Sequence, residues 1–305
     1  MNTPSNVVPE AIVESQAVAP QVMAETQPMR WAVRRELWEN RSIYIAPAVV
    51  AALMQFGFLI STMTLRHRMS ALALDAAKQR VAIEMPYDMA AGLILITSLI
   101  VGAFYCLDAL YGERRDRSIL FWKSLPVSDR TTVLSKASVP LVLLPLISFV
   151  IIVTTQIIML FASTAVLLQD GPSVVALWTT LKFVQLWIAL LYSVVAIALW
   201  LAPLYCWLLL LSCWAKRATL LWAVLPPLAI MMVEKMAFNT TSFALFMKYR
   251  LIGWFSQAFI DEHHGPLSAM TPGRFLSTPS LWLGLIFAAA CLAAAVRLRR
   301  NREPI

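Results

Sequence analysis

Six stretches of the chain run continuously apolar, and polar residues are gathered in the gaps between them. The stretches cover about 43–65, 89–111, 138–168, 183–211, 219–238 and 279–296. A bilayer core about 30 Å thick needs about 20 apolar residues in helical geometry, so each stretch is expected to be a transmembrane helix. The third and fourth exceed that length and are expected to tilt or to continue beyond the hydrocarbon. Pro140, Pro145 and Pro203 are the candidate kinks within them. The fold expected from this pattern is an all-α integral membrane protein with six transmembrane helices.

Composition agrees and charge placement adds a direction. The 305 residues are 60% hydrophobic and 14% charged, with mean hydropathy +0.71, whereas soluble chains are about 45–50% apolar and about 25% charged. The net charge is +8. A nucleic-acid-binding chain would group its basic residues on one solvated face. Here they lie between and beside the apolar runs, so no nucleic acid is expected as a partner. The N-terminal segment, the 112–137 and 212–218 loops and the C-terminal tail together carry twice as many Lys and Arg as the 66–88, 169–182 and 239–278 segments. The bias places both termini in the cytoplasm, with the chain multi-pass in the cytoplasmic (inner) membrane. Residues 1–28 lack the basic and apolar regions of a secretory signal and are expected to form a flexible cytoplasmic tail ahead of a transmembrane domain over 29–305. No internal repeat of the kind that builds secondary carriers stands out. Cys106, Cys206, Cys213 and Cys291 lie in or beside apolar runs without C-x-x-C spacing and read as small buried hydrophobes.

The 112–137 loop holds more than topology requires. It opens on the mixed charges Glu113, Arg114, Arg115, Asp116 and Arg117, continues through Ile119, Leu120, Phe121 and Trp122, and breaks at Leu125-Pro126. Ser118, Phe121, Trp122 and Leu125 share one helical face. Pro126 disfavours helical geometry at Leu125, and Ser128 or Asp129 is placed to cap the helix that follows. Two readings of the short helix stay open on these grounds: one that docks a partner through its aromatics, and one whose Phe and Trp rest among lipid headgroups. Residues 29–42 place Trp31 and Trp38 seven apart with Arg30, Arg34, Arg35 and Arg41 around them. That suits an interfacial helix or a basic flank that orients the first span. In 239–278, Phe243, Phe246, Leu251, Trp254, Phe255 and Phe259 suggest one or two short interfacial helices.

Residues 113–129, Glu-Arg-Arg-Asp-Arg-Ser-Ile-Leu-Phe-Trp-Lys-Ser-Leu-Pro-Val-Ser-Asp, followed by Thr132-Val133-Leu134-Ser135-Lys136, resemble the first cytoplasmic loop of ATP-binding-cassette (ABC) transporter permeases of the type 2 export class. The resemblance implies that this loop is a coupling helix seated in a groove of a separate ATPase subunit. Glu113, Arg114, Asp116, Arg117, Phe121, Trp122, Lys123, Leu125 and Pro126 would then be the coupling residues. It further implies two ATPase copies per complex, a homodimer or a pairing with a similar permease, a connecting helix over 29–42, and re-entrant helices before the last span. A non-transporting membrane protein that assembles or regulates a partner through the same loop is the alternative.

Intramembrane charges are functional candidates by default. Asp108 lies near Arg114 and Arg115, within reach of pairing. Glu234 and Lys235 lie towards the outer end of the fifth span: Glu234 is a candidate to face a dimer cavity, and Lys235 to reach for the interface. Asp261-Glu262-His263-His264 reads as a solvated turn before Gly265-Pro266. No phosphate-binding G-x-x-x-x-G-K-[ST] loop, G-x-S-x-G elbow or H-E-x-x-H helix occurs. No catalytic residue, cofactor or metal is therefore assigned, and any ATP hydrolysis is expected in a partner chain.

Overall fold

A backbone surrounded by hydrocarbon must satisfy its N–H and C=O groups within its own segment, and a helix does this. A computed structural model of the chain describes residues 28–62, 76–116, 118, 128–168, 175, 177–178, 182–259 and 269–301. The described residues are almost entirely helical. Six helices are long and apolar enough to cross a membrane, consistent with a multi-pass membrane protein.

Helix α1 (Pro28–Glu39) precedes the first span, α2 (Ser42–Thr62). The second span lies in α3 (Ala76–Asp108), followed by the single turn α4 (Tyr111–Arg115). The third combines α5 (Asp129–Ser138), a π-helical turn (Val139–Leu143) and α6 (Leu144–Leu167). The fourth and fifth are α7 (Phe183–Trp214) and α8 (Thr219–Phe238). Three short helices, α9 (Ser242–Ile252), α10 (Trp254–Ala258) and α11 (Pro272–Ser277), precede the sixth span, α12 (Pro279–Asn301). An isolated antiparallel bridge between Phe259 and Met270 ties the stretch after α10 to the one before α11.

The helices overrun the apolar windows. α3 begins at Ala76 rather than near 89, and the third span extends back to Asp129, reaching 39 residues. Apolar length marks hydrocarbon thickness, whereas caps and turns mark helix ends. Ser128 is the cap at α5: its Oγ accepts from the Thr131 backbone N–H at 3.1 Å. Pro140 has no N–H to give the Lys136 carbonyl, and its ring crowds that oxygen. The helix widens there into a π turn, closed by the Leu144 N–H on the Val139 carbonyl. Pro203 lies inside α7, which stays helical through it.

α7 is the axis of the bundle. Of its most apolar stretch 72% is buried within the protein, against none for α8. α12 packs along α7, while α2 packs against α3 and α6. Gly102 of α3 permits the closest approach to α7, since a Cβ there would lie 3.2 Å from the Tyr205 hydroxyl. In lipid, apolar surface gives helices little reason to associate, so polar pairs and close packing matter more. Ser148 donates to Ser98 at 2.7 Å, and the Trp187 indole N–H to Gln156 at 3.0 Å, both between spans.

Candidate functional site

Six charged residues that flank the spans converge at one end of the bundle. There α1, α4, α5 and the C-terminal turn of α12 bring Arg35, Glu36, Glu113, Asp129, Lys136 and Arg299 together. Lys136 Nζ lies 2.9 Å from Glu36 Oε1 and 3.2 Å from Glu113 Oε1. Arg299 donates from Nη1 to Glu113 Oε2 at 2.5 Å and from Nε to Asp129 Oδ1 at 3.1 Å. Arg35 Nη2 stands 3.7 Å from Glu113 Oε1. The Tyr105 hydroxyl of α3 donates to Glu36 Oε2 at 2.7 Å. Glu36, Glu113, Lys136 and Arg299 are buried to 1%, 7%, 2% and 3% exposure. Ions taken from water cost several kcal/mol each unless closely paired. Here the four buried ions, Glu36, Glu113, Lys136 and Arg299, balance in charge, while Arg35 is shared with the exposed Glu39 at 2.6 Å.

A second anchor lies beside it. Arg114 Nη1 donates to the Cys213 carbonyl at 2.6 Å and the Ala215 carbonyl at 3.1 Å, at the C-terminal end of α7. The last carbonyls of a helix lack partners within it and carry partial negative charge, which suits a guanidinium. The Leu110 N–H donates to Ser212 Oγ at 3.1 Å, joining the end of the second span to the same turn.

The two anchors bracket the loop singled out in the sequence. Glu113 and Arg114 are buried and face the bundle. Asp116 is exposed and bonded to Arg115, whose Nε lies 3.0 Å from Asp116 Oδ1. Asp108 is exposed as well and pairs with Arg115 at 3.9 Å rather than with Arg114. Arg117, Phe121, Trp122, Lys123, Leu125 and Pro126 lie outside the described residues. So does Asp261-Glu262-His263-His264. Among the described residues no group of His, Cys, Asp or Glu is arranged to hold a metal ion.

On α1, Arg35 and Glu36 turn inward while Trp31 and Trp38 are 64% and 68% exposed. The Arg34 guanidinium lies 5.7 Å and 5.2 Å from those two rings. One face of α1 thus holds the cluster and the other carries aromatics. Glu36 and Arg299 were not singled out in the sequence; Asp129 was named there as a candidate cap, and Lys136 only within the run that carries the family resemblance.

At the opposite end, Glu234 serves as a cap. Its Oε1 accepts from the Ser242 N–H at 2.7 Å and from Thr240 Oγ1 at 2.8 Å, and its Oε2 from the Phe243 N–H at 2.9 Å. These are first-turn donors of α9, which have no partners within their own helix. Lys235 is exposed. Glu234→Ala is expected to raise amide hydrogen exchange at Ser242 and Phe243 while leaving α7 unchanged. Equal exchange in the variant and the parent would show that the cap contributes nothing.

The chain matches no family model, no curated protein and no solved structure.

Proposed function

We propose that this chain is the membrane-spanning permease subunit of an ABC exporter, with a separate ATPase docked on the 113–126 loop. One observation carries the reading: both roots of that loop are tied into the bundle by buried charge. On one side Glu113 and Arg114 reach α1, α5, α12 and the end of α7. On the other, Asp129 and Lys136 reach the same cluster. A push on a loop held so would be delivered to several helices at once, as a coupling element requires. The mixed-charge and aromatic run between the roots supplies the docking face.

In this reading both termini and the charge cluster lie on the cytoplasmic side of the inner membrane, and α1 rests at the interface through Trp31, Trp38 and Arg34. α9 to α11 dip into the outer leaflet. Two ATPases serve a permease homodimer or a pair of similar permeases, and α8, none of whose residues is fully buried, is available to a second permease. The substrate is hydrophobic or amphipathic and crosses along the permease interface. Glu113 and Arg114 act as the loop's positioning residues, while Phe121 and Trp122 make the contact. The alternative is a non-transporting membrane protein that assembles or regulates a partner through the same loop.

The test is co-purification of the full chain with the ABC ATPase encoded beside it, followed by ATP hydrolysis in lipid. Trp122→Ala is expected to lower association and to cut bilayer-dependent hydrolysis about tenfold, as loss of a central aromatic anchor does. Unchanged association and hydrolysis would overturn the coupling assignment. Intact association with hydrolysis but no movement of any amphiphile would favour the assembly role.

A further inference from the structure

Beside the charge cluster, three helices leave a cleft open at one end of the bundle. It has a volume of about 780 Å³ and lies between α7, α8 and α12, within the range of about 300–1,000 Å³ usual for small-molecule sites. Its walls follow helical periodicity. Trp207, Leu210, Leu211 and Trp214 line it from α7, Trp222 and Pro226 from α8, and Ala290, Ala293, Ala294 and Arg297 from α12. Ala290, Ala293, Ala294 and Arg297 recur at i, i+3, i+4 and i+7, so they share one face, with Leu298 next to it. Three of them are alanines, and that is why the helices meet without filling the space. Seven residues of helix make the α7 and α12 walls about 10 Å long, with Ala290 and Trp207 at the apolar end and Arg297 and Trp214 at the other.

The charged end is one-signed. Arg297 is exposed at the rim. Lys216 and Arg217, both exposed, lie on the connection between α7 and α8, two and three residues beyond Trp214. Among the described residues no carboxylate stands within ion-pair distance of any of these three, whereas the neighbouring Arg299 is consumed by Glu113 and Asp129. The Trp214 and Trp222 rings meet edge to face at 4.9 Å beneath the rim. Amphipathic rings of this kind favour the headgroup boundary.

We propose that this cleft is a specific site for an anionic glycerophospholipid. One acyl chain lies along the alanine face of α12, between Trp207 and Trp222, and the phosphate sits at Arg297. An apolar groove with Arg297 at its rim, and with no carboxylate among the described residues in ion-pair distance of it, calls for a ligand with a long apolar body and a negative head. Basic pockets between transmembrane helices recognise acidic lipid headgroups in this way. The site stands independently of the exporter reading, because it requires only that the helices span a bilayer.

The tryptophans supply the readout. The full chain would be reconstituted into phosphatidylcholine vesicles containing increasing amounts of phosphatidylglycerol or phosphatidylcholine brominated on the acyl chain, since bromine quenches indole fluorescence on contact. For the parent chain, brominated phosphatidylglycerol is expected to quench at about fivefold lower mole fraction than brominated phosphatidylcholine, as one basic contact near the surface provides. Arg297→Gln is expected to bring the two curves together, and Arg297→Lys to keep them apart. Ala294→Phe, which fills the cleft, is expected to reduce quenching by both lipids. Coincident curves for the parent, or a separation that persists in Arg297→Gln, would overturn the proposal. So would a parent curve matching that of Ala294→Phe, the result expected if a second copy of the chain covers the cleft.

Discussion

Glu113→Gln is expected to destabilise the chain by about 3 kcal/mol, because removing one partner leaves buried charges uncompensated. The substitution keeps side-chain shape and removes a single negative charge. Lys136 retains Glu36 at 2.9 Å and Arg299 retains Asp129 at 3.1 Å, so the cluster survives with one excess positive charge. Arg299 and Lys136 are almost wholly inaccessible and have no water with which to share it. Thermal unfolding of the purified chain in detergent should show the loss as a lowered midpoint. Asp116→Asn, three residues on and exposed, should leave the midpoint unchanged. Adding Lys136→Met to Glu113→Gln restores neutrality, and the double variant should lose less than the sum of the two single variants. Additive losses, or a midpoint for Glu113→Gln equal to the parent's, would mean that these charges do not act as one unit.

The spans were legible because hydrocarbon imposes a length on any helix that crosses it, and the sequence obeys that length six times. The Ser128 cap was legible because Leu-Pro followed by Ser-Asp combines a stop with a start. The charge cluster was not. Lys136 lies 100 residues from Glu36, and Arg299 lies 186 from Glu113. A basic residue flanking a span looks the same in sequence whether it is solvated or buried against an acid. Only packing of α1 and α12 against α5 decides that Glu36 and Arg299 point inward while Arg34 and Arg300 remain exposed. The capping role of Glu234 was hidden for the reverse reason. An acid near the end of an apolar run suggests function, but its partners are backbone N–H groups eight and nine residues further on.

The two ends of the bundle are held by different chemistry. One end relies on full charges, which act at short range and tolerate little displacement before the ions are left unpaired. The other end, where α9 to α11 pack against α7, relies on aromatic packing, the Arg250 guanidinium and the Glu234 cap. The axis that joins the two regions is α7. It reaches the outer helices through Trp200 and the base through the Cys213 and Ala215 carbonyls.

Trp200→Ala therefore has the second large expected effect, confined to the outer helices. Trp200 is fully buried. Its ring meets Tyr249 of α9 at 5.3 Å and Phe275 of α11 at 6.1 Å, and its indole N–H donates to the Arg250 carbonyl at 3.0 Å. The Arg250 guanidinium lies over the same ring at 4.9 Å and donates to the Ser280 carbonyl at 3.2 Å. Gly284 leaves the space the guanidinium occupies, since a Cβ at that position would collide with it. Removing the indole opens a cavity, deprives Arg250 of its aromatic face and frees a buried carbonyl, a combined loss of about 3 kcal/mol on the scale of Trp→Ala changes in cores. Exchange of apolar surface with lipid contributes little within a bilayer, so lost packing contacts and the hydrogen bond account for the cost. Hydrogen exchange should rise across Tyr249–Ala258 and remain at parental rates in α5 and the last turn of α12. A uniform rise through α5 and α12 would instead show that the two ends unfold as one unit and that α7 does not separate them.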